Sequence, residues 1–206
     1  MTAPNYWKQA TRELAVRDPV MKKIISSSHG LTLRSRGDAF NTLARSIVGQ
    51  QISVKAAQSV WDKLAATVPA IRPEIIHHHD ADVLRKCGLS GSKVKYLQDL
   101  ARHFIEEIFN EQLWDSMSDD ELIDELTQVR GIGRWTAEMF LIFYMTRPNV
   151  LPVDDIGLQR AMSLHYNRGR PLSDLRIRSI SKRWLPWRSV ATWYMWRSLD
   201  PIPVEY

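Results

Sequence analysis

Apolar residues recur every three to four positions along almost the whole chain, and this spacing predicts helices. One apolar face comprises Phe40, Leu43, Ala44, Ile47 and Val48, and another comprises Val94, Leu97, Leu100, Ala101, Phe104 and Ile108. We find no run with the strict alternation of apolar and polar residues that marks a half-buried strand. The pattern therefore predicts an all-α fold.

Polar residues that favour helix starts divide the chain into these helices. Candidate N-caps are Asp18, Asp38, Ser53, Ser92 and Ser118. The run from Gly49 to Ile52 interrupts the helical pattern between two of the predicted helices. The consecutive residues His77, His78 and His79 do not share a helix face and have no acidic partner at ligand spacing, so we predict an exposed loop there and no metal site.

Composition narrows the classes of function. The 206 residues carry a formal net charge of +5, which favours an anionic partner such as nucleic acid but does not bear on the fold. Cys87 is the single cysteine, which excludes an internal disulfide and a cysteine-cluster metal site and suits a reducing compartment. No stretch has the apolar length of a signal peptide or a transmembrane helix, so we expect a cytoplasmic protein without membrane contact.

The segment from Val129 to Arg134 is a tight turn between two predicted helices. Gly131 and Gly133 flank one apolar residue and allow positive φ and a bare backbone surface. The first N–H groups of the following helix point outward there, and together with the helix dipole they can hold a phosphate oxygen. Such a device grips the DNA backbone without reading sequence. The alternative is an ordinary glycine C-cap between packed helices.

Several motifs together resemble one protein family. The run VRGIGRWTAEMF, followed by LPVDDIGLQR, resembles the hairpin and catalytic-aspartate segments of the helix-hairpin-helix (HhH-GPD) DNA glycosylase superfamily, and within it the 3-methyladenine DNA glycosylase II group. SIVGQQISVKAA, LRKCGLSGSKVKYLQDLA and WLPWRSVATWYMWR resemble further segments of that group in the same order. The resemblance extends from about residue 38 to about residue 200.

The resemblance implies one unit of residues 1–206 with two helical lobes around a DNA-binding cleft. We place a central lobe at residues 36–115 and a second lobe at residues 1–35 plus 116–206, which contains the hairpin 126–139. The implied function is base excision repair, in which alkylated purines such as 3-methyladenine and 7-methylguanine are hydrolysed from double-stranded DNA after base flipping. We expect a monomer that works in the cytoplasm, on the nucleoid in a bacterium or in the nucleus of a eukaryote.

Two acids, Asp154 and Asp155, begin a helix, and capping is a common role for aspartate. We expect one of them to cap and the other to face the cleft, and the resemblance assigns the catalytic role to Asp155. A carboxylate next to the sugar stabilises the positive charge that develops as an N-glycosidic bond breaks, and can orient or deprotonate water. A purine methylated at N3 or N7 already carries positive charge, so no second acid is needed.

The resemblance also assigns DNA-contacting residues. Trp135 stands where related lyases carry a lysine, which implies hydrolysis without strand cleavage. The resemblance instead implies a base-pocket role for Trp135, with packing on Met139 in the core as the alternative. Trp187 and Tyr144 are candidates both for the pocket and for the core. Gln51 matches the side chain that wedges into DNA, and Gln50 is a candidate partner for the orphaned base. Hairpin contacts to the DNA backbone are implied for Gly131, Ile132, Gly133, Arg134 and Thr136.

No cofactor is expected, although a Na⁺ or K⁺ ion bound by the carbonyls of Val129 and Ile132 would fit between the hairpin and a phosphate. Lys93 and part of a basic cluster are candidate phosphate contacts. The cluster comprises Arg168, Arg170, Arg176, Arg178, Lys182, Arg183 and Arg188. Two alternatives stay open, namely a non-catalytic helix-hairpin-helix DNA-binding module and a glycosylase for another base lesion.

Overall fold

The computed structural model describes residues 3–28, 30–33 and 38–199. Within these ranges the chain forms thirteen α-helices and no strand, so the predicted all-α class is confirmed. The helices are α1 (Trp7–Arg17), α2 (Pro19–Ser27), α3 (Ala39–Gly49), α4 (Val54–Thr67), α5 (Pro73–His78), α6 (Ala81–Lys86), α7 (Gly91–Ile105), α8 (Glu111–Trp114), α9 (Asp119–Leu126), α10 (Arg134–Phe143), α11 (Ile156–Tyr166), α12 (Asp174–Ser181) and α13 (Arg188–Leu199), with a 3-10 turn at Lys182–Trp184. None of these helices is long and apolar enough to span a bilayer.

The chain divides into two compact units. The terminal unit comprises Met1–Arg36 and Leu141–Glu205, and the central unit comprises Gly37–Phe140. The first boundary, after Arg36, lies next to the boundary that was predicted after residue 35. The hairpin was predicted to belong to the lobe that contains the chain ends, but it lies in the central unit. The physical reason is that the hairpin packs on α7, where Asp99 accepts the N–H of Arg130 at 2.9 Å.

The terminal unit is built around tryptophans and one buried acid. Helices α1 and α2 pack on α13, and Trp7 meets Trp193 edge to face with ring centroids 5.3 Å apart. Asp18 is fully buried, caps α2 through the N–H of Val20 at 2.9 Å and accepts the Tyr166 hydroxyl at 2.7 Å. A buried carboxylate is tolerated when donors surround it in this way, so Asp18 joins α2 to α11.

The central unit has a core of aromatic rings that meet mostly edge to face. Its members are Phe40, Phe104, Phe109, Trp114 and Phe140, with successive ring centroids 5.3–5.7 Å apart. Cys87 is buried and donates its thiol to Thr67, as a structural cysteine does. Aromatic pairs in this geometry add stability beyond that of the area that they bury.

Most of the predicted helix starts are confirmed, because Asp18, Asp38, Ser53 and Ser118 all cap helices with their side chains. Ser92 was the wrong candidate for α7, because that helix already begins at Gly91. Ser90 is extended and accepts the N–H of Lys93 at 3.2 Å, so it is the cap. The predicted histidine loop is also wrong in part, since His77 and His78 end helix α5.

Candidate functional site

The glycine turn lies between α9 and α10. Gly131 has a φ of +83°, and a Cβ there would lie 2.2 Å from the ring of Tyr96 on α7, so both conformation and space require glycine. Val129 and Ile132 are buried and anchor the turn in the core. Gly133 is exposed, and a Cβ added there would meet no neighbouring atom within 4 Å. The turn therefore presents bare backbone where α10 begins.

The start of α10 leaves N–H groups without partners within the helix. Ala137 donates to Gly133 O at 3.1 Å, which is the first bond of this helix, so the N–H groups before Ala137 lie at the positive end of the helix dipole. Thr136 is 4% exposed, and its contact with the DNA backbone stays a prediction. An anion such as a phosphate oxygen suits this position.

Arg134 is exposed but already engaged. Its Nη2 lies 3.0 Å from Asp120 Oδ1 and its Nε lies 3.2 Å from Glu138 Oε1. Asp120 and then Glu138 raise the pKa of the guanidinium above its usual value, so the charge is permanent. The pair with Asp120 is open to water and contributes little stability, whereas Glu138 is nearly buried. A phosphate could therefore replace Asp120 at small cost.

The predicted cation site consists of the carbonyls of Val129 and Ile132. Val129 O accepts the N–H of Ile132 at 3.1 Å, which uses one of the two lone pairs of that oxygen. The other lone pair of Val129 O is available to a monovalent cation, and the cation site stays a prediction. In the part of the chain that the structure describes, no group of three His, Cys, Asp or Glu residues is arranged to hold a metal ion.

The loop between α3 and α4 is the predicted wedge. Gln51 is exposed and has a φ of +58°, and Ile52 is 41% exposed rather than tucked into the core. Gln50 makes a contact that was not predicted, because its Nε2 donates to Gly131 O at 2.7 Å, and its pairing with an orphaned base stays a prediction. Lys93 donates from its Nζ to the carbonyls of Val48 and Gln50, and its contact with a phosphate stays a prediction. The loop is thus tied to both the hairpin and α7.

Asp155 lies in the terminal unit and is 9% exposed. It is the N-cap of α11, where its Oδ1 accepts the N–H of Leu158 at 2.6 Å. Asp154 is exposed. The expectation that one acid caps and the other serves the site was therefore wrong, because the residue assigned the catalytic role is also the cap. Capping holds the carboxylate in a fixed orientation at the positive end of α11.

Trp196 is a site residue that the sequence reasoning missed. Its Nε1 donates to Asp155 Oδ1 at 2.6 Å, and its ring stacks on Phe143 with centroids 5.8 Å apart. Gly157 makes room for it, since a Cβ there would lie 3.0 Å from Trp196 Cδ1 and 3.1 Å from Asp155 Oδ1. The abundance of tryptophan near the end of the chain was a signal, but it did not distinguish this indole from the others.

The three aromatic residues predicted for the base pocket have different surroundings. Trp135 at the start of α10 and Tyr144 just after its end are both half-buried, and their pocket roles stay predictions. Trp187 is 9% exposed, stacks on Tyr6 and donates its Nε1–H to Glu13 at 2.8 Å. These contacts correspond to the core alternative for Trp187 and lend no support to a pocket role.

The basic cluster is a surface feature of the terminal unit. Arg168, Arg170, Arg176, Arg178, Lys182 and Arg183 are exposed, whereas Arg188 is half-buried. Burial first and then the charge of Arg178 lower the pKa of Arg188. The exposed members are available to phosphates, and their contact with DNA stays a prediction.

Residues 44–186 match the family model described as the HhH-GPD superfamily base excision DNA repair protein. DNA-3-methyladenine glycosylase 1 of Schizosaccharomyces pombe is 30% identical over 165 residues, which are 78% of this chain and 72% of that protein. The solved DNA-3-methyladenine glycosidase of Bacillus halodurans has a TM-score of 0.83 and 28% identity, covering 93% of this chain and 89% of that one. The 3-methyladenine DNA glycosylase of S. pombe in complex with abasic DNA has a TM-score of 0.83 and 27% identity, covering 96% and 98%. The predicted family is confirmed, and the chain belongs to the HhH-GPD superfamily of base excision DNA repair proteins.

Proposed function

We propose that the protein is a monofunctional DNA glycosylase that hydrolyses the sugar–base bond of alkylated purines in double-stranded DNA. The observation that carries this proposal is the Asp155 carboxylate, which is nearly buried and whose Oδ1 accepts hydrogen bonds from Leu158 N and Trp196 Nε1 at 2.6 Å each. The substrate class is supported by the similar proteins named 3-methyladenine glycosylases.

The carboxylate suits the charge that this reaction develops. Breaking an N-glycosidic bond leaves positive charge on the sugar, and a fixed anion beside it lowers the barrier. Asp155 is held by a backbone and a side-chain donor, so it needs little reorganisation when that charge forms. Its low exposure strengthens the interaction because less water screens it. The same carboxylate can orient or deprotonate the attacking water.

A single carboxylate is sufficient when the leaving base is already cationic, because a methylated purine departs as a neutral molecule without a proton donor. The other acids near the motifs do not act as that donor. Glu138 lies beside Arg134, and Asp154 is exposed. Trp135 stays the predicted aromatic surface for the cationic base, and an indole face attracts such a base by about 1–2 kcal/mol when desolvated.

The central unit supplies elements for handling DNA. The turn at Gly131 and Gly133 and the start of α10 are suited to a backbone phosphate. Gln51, exposed at the tip of its loop, would fill the space that a flipped nucleotide leaves. Trp135 cannot form a Schiff base with the sugar, so strand cleavage is not expected. The hydrolysis requires no cofactor, and we expect a monomer located where the DNA is.

The experiment is to treat duplex DNA with a methylating agent and measure released 3-methyladenine and 7-methylguanine, with strand breaks scored before and after alkali. Wild type is compared with Asp155→Asn and with Asp154→Asn as the matched control. Asparagine caps helices as well as aspartate does, so Asp155→Asn removes the charge and keeps α11 intact. Asp154 is exposed, so its replacement controls for a general loss of surface charge.

We expect wild type and Asp154→Asn to release both bases, Asp155→Asn to release neither at a measurable rate, and breaks to follow only after alkali. Salt-sensitive DNA binding without base release by wild type would favour the non-catalytic module. Release of a different damaged base would shift the lesion class, and breaks before alkali would contradict the assignment from Trp135.

A further inference from the structure

One face of α7 carries three half-buried polar residues, namely Lys93, Tyr96 and Asp99. They are spaced three residues apart, which places them on one side of the helix. Tyr96 lies against Gly131, and Asp99 accepts the N–H of Arg130 at 2.9 Å, so two of the three contact the hairpin. Lys93 contacts the wedge loop. Helix α7 thus sets where both of these surface elements lie in the central unit.

The ammonium group of Lys93 holds the end of α3. Its Nζ donates to the carbonyls of Val48 and Gln50 at 2.7 Å each. Carbonyls at the end of a helix lack intrahelical donors and lie at the negative end of the dipole, so a lysine there is favourable. Burial lowers the pKa of Lys93, which accords with an ammonium partly withdrawn from water. The side chain is therefore bound to the loop.

Two further contacts hold the loop on either side of Gln51, one made by the Gln50 side chain and one by the Ser53 cap. The Gln50 side chain donates to Gly131 O at 2.7 Å, so the residue before Gln51 is attached to the hairpin through its amide and to Lys93 through its carbonyl. Ser53 then begins α4 as its cap. Gln51 itself has a φ of +58°, which non-glycine residues adopt only when their surroundings impose it. The attachments on either side supply that constraint.

We infer that Lys93 is a positioning residue which, together with the side chain of Gln50, holds Gln51 in the conformation from which it enters the DNA helix. This inference rests on the proposed glycosylase function. Without the ammonium group, two helix-end carbonyls would turn to water and the Gln51 backbone would relax from its positive φ. The wedge would then enter DNA less readily, while the hairpin would still bind the backbone.

The test uses Lys93→Met, which keeps the aliphatic stem and removes the donor. Lys95→Met is the matched control, because Lys95 lies on the same helix and is exposed. The probe is a duplex with a tetrahydrofuran abasic analogue facing 2-aminopurine, whose fluorescence reports unstacking opposite the lesion. Anisotropy of a dye-labelled copy measures affinity, and release of methylated bases from alkylated duplex DNA measures turnover.

We expect Lys93→Met to bind the duplex within about threefold of wild type, to lose more than half of the fluorescence change and to release bases about tenfold more slowly. A misplacement of about 1 Å can cost about 100-fold in rate, so a smaller shift should cost less. Lys95→Met should match wild type throughout. Gln50→Met removes the attachment to the hairpin and keeps Lys93. It should likewise keep DNA affinity while losing fluorescence change and rate, and it serves as the test if Lys93→Met does not fold.

The inference would be overturned if these variants kept the full fluorescence change of wild type. It would also be overturned if they lost DNA affinity in parallel with the fluorescence change. The absence of any fluorescence change with bound wild type would also overturn it, since no wedge would then be entering. These outcomes are separate from failure of the proposed function, which would appear as no release of methylated bases by wild type.

Discussion

The hairpin of the central unit and the carboxylate of the terminal unit are built on opposite principles. The hairpin is exposed, and Gly131 and Gly133 offer backbone rather than side chains to a ligand. Asp155 is 9% exposed, and its side chain is fixed by Leu158 N and Trp196 Nε1. One region depends on the shape of the main chain, whereas the other depends on a single charged group and its neighbours.

This difference indicates that the hairpin serves DNA binding and the carboxylate serves the chemical step. Backbone donors at a helix start bind phosphate without regard to sequence, as an enzyme that searches long DNA requires. A carboxylate held away from water acts only on the nucleotide brought to it, where its charge is least screened. Variants in one region should therefore change DNA affinity, and variants in the other should change the rate of the chemical step.

The largest effect is expected from Asp155→Asn. Removing the charge should slow base release by at least about 100-fold, which is the usual cost of losing a preorganised electrostatic contact. Affinity for a duplex with an abasic analogue should stay within about threefold, because the hairpin that binds the backbone is intact. Single-turnover rates and anisotropy measure the two quantities. A parallel fall in affinity would show that the two regions are not independent.

A second large effect is expected from Gly131→Ala. A Cβ would lie 2.2 Å from the Tyr96 ring at a φ of +83°, so the turn must move. We expect a loss of about 1–3 kcal/mol in the free energy of unfolding, typical of imposed backbone strain, together with weaker DNA binding. Urea unfolding and anisotropy check both.

The matched control for that variant is Gly133→Ala. An added Cβ there has no neighbouring atom within 4 Å, and Gly133 does not have a positive φ, so its stability should fall by about 1 kcal/mol or less. Equal losses in the two alanine variants would mean that the conformation of Gly131 is not what the turn requires.

Trp196→Phe should have an intermediate effect confined to the chemical step. Phenylalanine can keep the stacking on Phe143 but lacks the N–H that binds Asp155. A hydrogen bond to a charged group contributes about 1.5–3 kcal/mol, so base release should slow by about tenfold or more while affinity holds.

Trp193→Phe is the comparison for this change, since Trp193 lies on the same helix and packs edge to face with Trp7 in the core. It should lower the melting temperature without a specific loss of rate. If both variants slowed catalysis equally, the bond from Trp196 to Asp155 would not be the cause of the effect.

The smallest effect is expected from Arg134→Gln. The ion pair with Asp120 is open to water and adds little stability, and a glutamine amide can still donate to the nearly buried Glu138 where Nε of the arginine did, so stability should change by about 1 kcal/mol or less. If the guanidinium moves to a phosphate, the slope of log affinity against log salt should fall by about 0.9, the value of one phosphate contact. Titrations at several salt concentrations measure this slope. An unchanged slope would mean that Arg134 does not contact a phosphate and keeps its ion pairs with Asp120 and Glu138.

Much of the fold could be predicted because the signals are local. The spacing of apolar residues and the caps Asp18, Asp38, Ser53 and Ser118 depend on neighbours a few positions away, and they were confirmed. Ser92 shows where a local signal is ambiguous, because two serines stand near the start of α7 and only the backbone decides that Ser90 is the cap.

The candidate site was predicted less completely. Asp155 could be identified from its motif. Its partner Trp196 lies 41 positions later, and the two come into contact only because α11 packs on α13. Lys93 carries a charge that suits phosphate in the sequence, yet in the fold it meets carbonyls of α3 and of the loop that follows it. Trp187 was ambiguous between pocket and core, and the proximity of Tyr6 and Glu13 accounts for its core contacts.

The helical class, most helix starts, the glycine turn and the family could be predicted from the sequence, because each is encoded within a short stretch of chain or in an ordered set of motifs. The pairing of distant polar groups required the folded structure, and examples are Trp196 with Asp155, Lys93 with the end of α3 and Gln50 with the hairpin. The reason is physical: a hydrogen bond depends on two atoms coming within about 3 Å, and only the packing of distant helices brings those atoms together.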